Sequence, residues 1–218
     1  MISAFDQIIP LLEEIDGLLE KNVDIFALGG IALMHRGLRA VTKDIDLVVS
    51  GDTKYFMLRK ILDRIGFTQK KPEFGYEHFN LSQILIREDF RIDLFSKTVC
   101  KRLSLSSGMM KRAEKVIELG KLRFYLCSNE DIFLFKTMTQ RPGDLDDCIA
   151  LAARGISWDA ILDELQSQIR YSGRAVWITW IGERLDILVE KGLNIPIMKQ
   201  VDLLREEYFE ELERKSGK

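Results

Sequence analysis

Apolar residues recur at Phe5, Ile8, Ile9, Leu12, Ile15, Leu18 and Leu19, the spacing of one helix face, so residues 3–21 are predicted helical. Pro10 interrupts that run and marks either a kink or the true start of the helix. The pattern then shortens. Residues 24–28 form a compact apolar run closed by Gly29 and Gly30, which predicts a strand and a turn. Residues 31–36 follow as a short helix stopped by Gly37, and the valine-rich alternation of residues 44–50 predicts a second strand. Residues 52–65 read as an amphipathic helix, with Asp52 or Thr53 at its N-cap and Gly66 as its stop.

Helix signals weaken after Gly66. Residues 78–87 and 90–95 predict two strands joined by the polar pair Glu88-Asp89, a hairpin. Residues 109–116 predict a short helix, and residues 121–126 a further strand. At Ser128 the character changes: Ser128-Asn129-Glu130-Asp131 resembles a capping box opening a helix through Thr139. Helical periods follow at residues 144–154, 158–169, 174–191 and 196–214. Within the third, Val176, Trp177, Trp180, Ile181, Leu185 and Leu188 repeat at helix spacing, which predicts core. No internal repeat or low-complexity segment is present. The pattern predicts an α+β part, residues 1–126, followed by a helical domain, residues 127–218.

Composition adds the class. The 218 residues suffice for one good core or two small domains, and 46% hydrophobic with 30% charged residues predicts a soluble globular chain. A net charge of -2 gives a nucleic-acid partner no support from charge alone, while leaving room for a local basic groove. Cys100, Cys127 and Cys148 match neither a disulfide framework nor a zinc pattern; they read as small semi-buried hydrophobes in a reducing compartment. No apolar run approaches the ~20 residues that span a bilayer. The first residues carry acids and a proline where a signal peptide needs a basic end and an unbroken apolar stretch. The expected location is cytoplasmic.

The candidate chemistry lies in three aspartates. Side chains alternate along a strand, so Asp44 and Asp46 face one way while Ile45 and Leu47 face the other. Two carboxylates ~4 Å apart repel by roughly 4 kcal/mol at an effective dielectric of 20, and a divalent cation is the simplest relief. Ligands that are all oxygen favour Mg²⁺ or Mn²⁺ over zinc. Asp93, flanked by Ile92 and Leu94, repeats the pattern; if its strand lies beside the first, three carboxylates converge, enough to hold two metals for an in-line phosphoryl displacement. Gly29-Gly30 lies between strand and helix, where backbone can approach a phosphate closely, or where a tight turn merely needs positive φ.

Gly29-Gly30-Ile31-Ala32-Leu33, followed by Gly37, Arg39, Thr42 and Asp44-Ile45-Asp46, resembles the signature of the DNA polymerase beta-like nucleotidyltransferase superfamily. It looks especially like the uncharacterised and abortive-infection (toxin-type) prokaryotic branch. Phe135-Lys136 and then Arg141-Pro142-Gly143-Asp144-Leu145-Asp146-Asp147 are similar to the family's second block, with Gly143 standing where a basic residue is usual. The resemblance spans residues 24–151. It implies a nucleotidyltransferase-like mixed β-sheet flanked by helices, then a helical domain. It also implies that Gly29 and Gly30 hold a nucleoside triphosphate, that Asp44, Asp46 and Asp93 are catalytic metal ligands, and that Asp93 activates the acceptor hydroxyl. Lys136 would reach the triphosphate or base, Asp144 and Asp147 would close the site or orient Lys136, and Arg39 would neutralise phosphate charge. Plainer roles compete: Lys136 as a solvent-facing helix residue, Arg39 paired with an acid, and Asp144, Asp146 and Asp147 as first-turn acids favoured by the helix dipole. His35 and His78 have no spaced partners and read as structural.

Two functions follow as expectations. The first is Mg²⁺-dependent (or Mn²⁺-dependent) transfer of a nucleoside monophosphate, ATP among the donors, to a hydroxyl of RNA such as tRNA, of protein or of a small molecule. A toxin-type enzyme would add an antitoxin as candidate partner. The second is a catalytically silent nucleotide- or partner-binding module on the same scaffold.

Overall fold

A computed structural model describes residues 1–70, 84–139 and 141–217. His78 and the first part of the strand expected from it lie outside the described residues. The chain divides into two compact units, Met1–Ser128 and Asn129–Lys218.

The first unit opens with a 3-10 turn, Phe5–Ile8, that leads into helix α1, Ile9–Leu18. Pro10 therefore sits in the first helical turn, where its missing N–H costs nothing. Strand β1, Val23–Leu28, helix α2, Gly29–His35, strand β2, Ile45–Val49, and helix α3, Asp52–Arg64, follow in the expected order. Short strand β3, Thr68–Lys70, precedes the hairpin of β4, Ile84–Arg87, and β5, Phe90–Ser96. Arg87 pairs with Phe90 across Glu88-Asp89, and Glu88 takes the left-handed backbone (φ 52°) that so short a loop demands. Helix α4, Ser107–Arg112, and strands β6, Glu114–Glu118, and β7, Leu122–Leu126, complete the unit.

Among the described residues these strands form one seven-stranded sheet in the order β3-β4-β5-β2-β1-β7-β6. It is mixed. β1 runs antiparallel to β2 and parallel to β7, and β2 runs parallel to β5. The central strands carry Ile25, Ala27, Val48, Val49, Leu94 and Phe124, each under 1% exposed, so the core lies against the middle of the sheet. α1, α2 and α3 pack on it.

The expectation of a helix at residues 109–116 is corrected. Ser106 caps α4 early, its hydroxyl accepting the Met109 N–H at 3.0 Å, and extended Ala113 ends the helix. Residues 114–118 pair with β7 instead, with a register shift between Lys115 and Ile117. An open sheet edge outweighs the local period.

The second unit is helical: α5, Asn129–Thr137; α6, Pro142–Ala153; α7, Trp158–Ser172; α8, Trp177–Glu190; and α9, Met198–Ser216. α5 is buried on every side from Asp131 to Thr137, as its run Ile132-Phe133-Leu134-Phe135 requires, with α6, α7 and α8 around it. Trp177, Ile181, Leu185 and Leu188 are core; Trp180 is instead 41% exposed. Among the described residues, no helix is long and apolar enough to cross a membrane.

One carboxylate fastens α1 to the β6–β7 turn. Asp16 Oδ1 accepts the N–H groups of both Lys121 and Leu122 at 2.7 Å. Desolvation works to raise its pKa, but the backbone N–H groups of Lys121, Leu122 and Gly120 outweigh it and hold the group below its ordinary 3.8. Folding therefore favours the ionised form. Its contribution is complete above about pH 4 and fades as pH falls through the depressed value. Asp16→Ala should cost about 1–2 kcal/mol at pH 7, the carboxylate being partly solvated. Denaturant titrations at pH 7 and pH 3 should show the gap between wild type and variant closing on acidification.

Candidate active site

The first site residues sit where β1 ends. Gly29 has φ +66°, a left-handed conformation that favours glycine, and a Cβ there would stand 2.1 Å from Asp46 Oδ2. Leu28 is the antiparallel partner of Asp46, so the sheet itself lays that carboxylate over the turn. At Gly30 a Cβ would meet Thr42 Oγ1 at 2.1 Å and Arg39 Nη1 at 3.4 Å. Thr42 is fixed in turn: its hydroxyl donates to the Asp44 carbonyl at 3.1 Å, and its backbone pairs with Ile2. Gly29, Gly30, Arg39 and Asp46 are thus packed together through contacts that no larger residue at either glycine allows.

The next strand brings in the other two carboxylates. β2 and β5 are parallel neighbours with Asp46 opposite Asp93, and Asp44 is two residues before Asp46. Period-two alternation then puts all three on one face. Asp93 is only 5% exposed.

A residue absent from the sequence reading completes the cluster. Arg91, two positions before Asp93 on the same strand, grips Asp93 with a fork: Nε donates to Oδ1 and Nη2 to Oδ2, both at 3.1 Å. The same Nε lies 3.2 Å from Asp44 Oδ1, an enclosed oxygen that has no hydrogen bond. Burial alone would lower the Arg91 pKa, but the hydrogen bonds and charge of Asp93, with the charges of Asp44 and Asp46, raise it above the ordinary arginine value. The signal was present as Arg91-Ile92-Asp93, opposite charges at the strand period.

The oxygen-only donor set has the chemistry for Mg²⁺ or Mn²⁺. Three carboxylates against one guanidinium also leave an excess of negative charge that a divalent cation would relieve. No group of three His, Cys, Asp or Glu side chains among the described residues stands in ligand geometry.

The helical unit holds a second charged cluster. Lys136 near the end of α5 is 8% exposed, and its ammonium lies 2.8 Å from Asp144 Oδ1 and 2.5 Å from Asp147 Oδ2. Asp144 and Asp147 are one turn apart on α6, so both reach one point. The Thr139 hydroxyl donates to the other oxygen of Asp144. Desolvation pushes the Asp144 pKa up, yet Lys136, Thr139 and Arg141 together bring it below 3.8. Asp146 is exposed and outside the cluster. On the same helix, burial pushes the Cys148 thiol up to about 12, which makes it unreactive. His35 stacks edge-on against Phe5, with ring centroids 4.5 Å apart, in keeping with a structural role.

A family model described as "Nucleotidyltransferase of unknown function (DUF6036)" matches residues 6–174. No curated protein matches the chain. Among solved structures, the solution structure of the antibiotic-resistance factor ANT(2'')-Ia is similar at 14% identity and a TM-score of 0.49, covering 77% of this chain and 94% of that one. The crystal structure of ANT(2'')-Ia with adenylyl-2''-tobramycin gives 14% identity and 0.49, with 76% and 99% covered. An antigenic nucleotidyltransferase-like protein from Paracoccidioides brasiliensis gives 17% identity and 0.45, with 81% and 91% covered.

Two substitutions test this geometry. Gly29→Ala forces a left-handed alanine against Asp46 and should cost at least about 1–2 kcal/mol in denaturant unfolding. Lys136→Met strands two enclosed carboxylates and should cost about 3–5 kcal/mol, while Asp146→Ala on the same helix should stay within about 0.5 kcal/mol of wild type.

Proposed function

The chain belongs to this nucleotidyltransferase family, and we propose that it transfers a nucleoside monophosphate from a nucleoside triphosphate to an acceptor hydroxyl with the help of Mg²⁺ or Mn²⁺. The observation that carries the proposal is the packing of the Asp46 carboxylate on Gly29, with Asp93 directly across the strand pair. A glycine turn where phosphate can come close to backbone is thereby fixed beside a cluster of carboxylates.

In this reading the triphosphate lies against the backbone of the Gly29-Gly30 turn, and Arg39 beside Gly30 offsets phosphate charge. Asp44, Asp46 and Asp93 would hold the divalent cation, which when bound supplies charge neutralisation at the α-phosphate and at the departing pyrophosphate. Asp93, the most enclosed of the three, takes the acceptor's proton as its hydroxyl attacks in line. In the helical unit Lys136, fixed by Asp144 and Asp147, is proposed as a nucleotide-binding group. The toxin-type assignment, its antitoxin partner and the choice among tRNA, protein and small-molecule acceptors belong to the same proposal.

Arg91 favours a second reading. A guanidinium neutralising Asp44 and Asp93 is what a silent nucleotide- or partner-binding module would need to keep its carboxylates. Incubation with each α-labelled nucleoside triphosphate, Mg²⁺ and cell lysate separates the two. Transfer predicts label in an RNA, protein or small-molecule fraction, reduced about a hundredfold or more by Asp46→Asn. No labelled product, together with nucleotide binding that neither Mg²⁺ nor Asp46→Asn alters, establishes the silent module.

A further inference from the structure

We propose that Arg91 is the resident counter-ion of the three carboxylates and must release Asp44 and Asp93 for a divalent cation to bind, so that Arg91 sets the metal affinity of the site. This rests on the metal-dependent reading above and adds to it a residue that competes with the metal.

The geometry supports competition over coexistence. Both oxygens of Asp93 already accept from the guanidinium, each at 3.1 Å. A metal drawing on those oxygens at ~2.0–2.1 Å would place a double positive charge against a permanent single one. Asp93 and Asp44 point oxygens at the arginine, and a metal needs those oxygens freed.

The arginine also has somewhere to go. Its side chain is 31% exposed, against 6% for Asp93, so it reaches the cluster from the solvent side. Arg91 is the second residue of β5, next to the Glu88-Asp89 turn, and its backbone is held by pairing with Ile86. Withdrawal is therefore a rotamer change that leaves the strand in place. The Asp44 contact breaks most easily, because Asp44 Oδ1 faces Nε at 3.2 Å without hydrogen-bond geometry. Arginine suits the post better than lysine, since only a planar fork satisfies both Asp93 oxygens while also facing Asp44.

The test is Mn²⁺ binding without nucleotide, followed by calorimetry and electron paramagnetic resonance, on wild type, Arg91→Gln and Arg91→Lys. Melting temperatures in EDTA and in Mn²⁺ are measured in parallel. The expected result is at least tenfold tighter Mn²⁺ binding by Arg91→Gln and an intermediate value for Arg91→Lys. Arg91→Gln should also melt lower than wild type in EDTA and gain more from Mn²⁺. Adding Asp46→Asn to Arg91→Gln should abolish the gain, which locates it at these carboxylates. If Arg91→Gln does not fold, the Arg91→Lys titration decides. Wild-type binding that the substitutions leave unchanged or weaken overturns the proposal and leaves metal-dependent transfer standing. Absence of Mn²⁺ binding in wild type and variants alike overturns the proposal, and the labelled-triphosphate assay then decides metal-dependent transfer by itself.

Discussion

Like charges held on adjacent strands are the constraint around which the first unit is arranged. Parallel pairing of β2 with β5 sets Asp46 opposite Asp93, and strand alternation adds Asp44 to the same face. A sheet offers no way to spread them, because turning one carboxylate away would shift the register and expose Ile45, Leu47, Ile92 and Leu94, all 3% exposed or less. Like charges on one sheet face repel, by roughly 4 kcal/mol for a pair ~4 Å apart at an effective dielectric of 20. The surroundings answer with a cation on one side and room on the other. Arg91 binds Asp44 and Asp93, and Gly29 vacates the volume that the Asp46 carboxylate fills.

The helical unit solves the opposite problem with the same components. There the buried charge is a single ammonium, and Asp144 and Asp147 are brought to it by i, i+3 spacing on α6. Thr139 occupies the other Asp144 oxygen, so little hydrogen-bonding capacity is left over at that carboxylate. A network satisfied in this way holds one conformation, because losing any member leaves an uncompensated charge in a low-dielectric interior. The sheet cluster is less well satisfied: three carboxylates share one guanidinium, against two around the ammonium, and Asp44 Oδ1 has a charge facing it but no hydrogen bond. One cluster is built to stay; the other is built to exchange its partner.

What was legible in the sequence follows from which forces are local. The order of strands and helices up to α3 came from apolar period and glycine stops, both properties of short windows. The shared face of Asp44 and Asp46 came from alternation alone. Their closeness to Asp93 required strand adjacency, which no window contains and which the structure supplies through β2–β5 pairing. Residues 114–118 misled because their conformation is decided by an edge partner, β7, rather than by their own period. β3 gave no signal, since Thr68, Gln69 and Lys70 are all exposed on the opposite edge. Arg91 is a different case: its charge stands two residues from Asp93 on the same strand face, but its contact with Asp44 needs the β2–β5 adjacency.

That placement also explains where precision in the site comes from. β5, β2 and β1 are consecutive in the sheet, and the three carboxylates, Arg91 and Gly29 lie on one of them or at the residue that follows or precedes one. Gly29 follows β1, Asp44 precedes β2, Asp46 is within it, and Arg91 and Asp93 are within β5. Their relative positions are therefore fixed by backbone hydrogen bonds across three central strands, which hold geometry better than loops do. The one loop that takes part, between α2 and β2, is pinned by the Ile2–Thr42 bridge and by the Thr42 hydroxyl on the Asp44 carbonyl. With the backbone so constrained, the freedom left at the site belongs to side chains, and the half-exposed Arg91 has the most of it. Withdrawal of that guanidinium frees Asp44 and Asp93 together and leaves every strand paired.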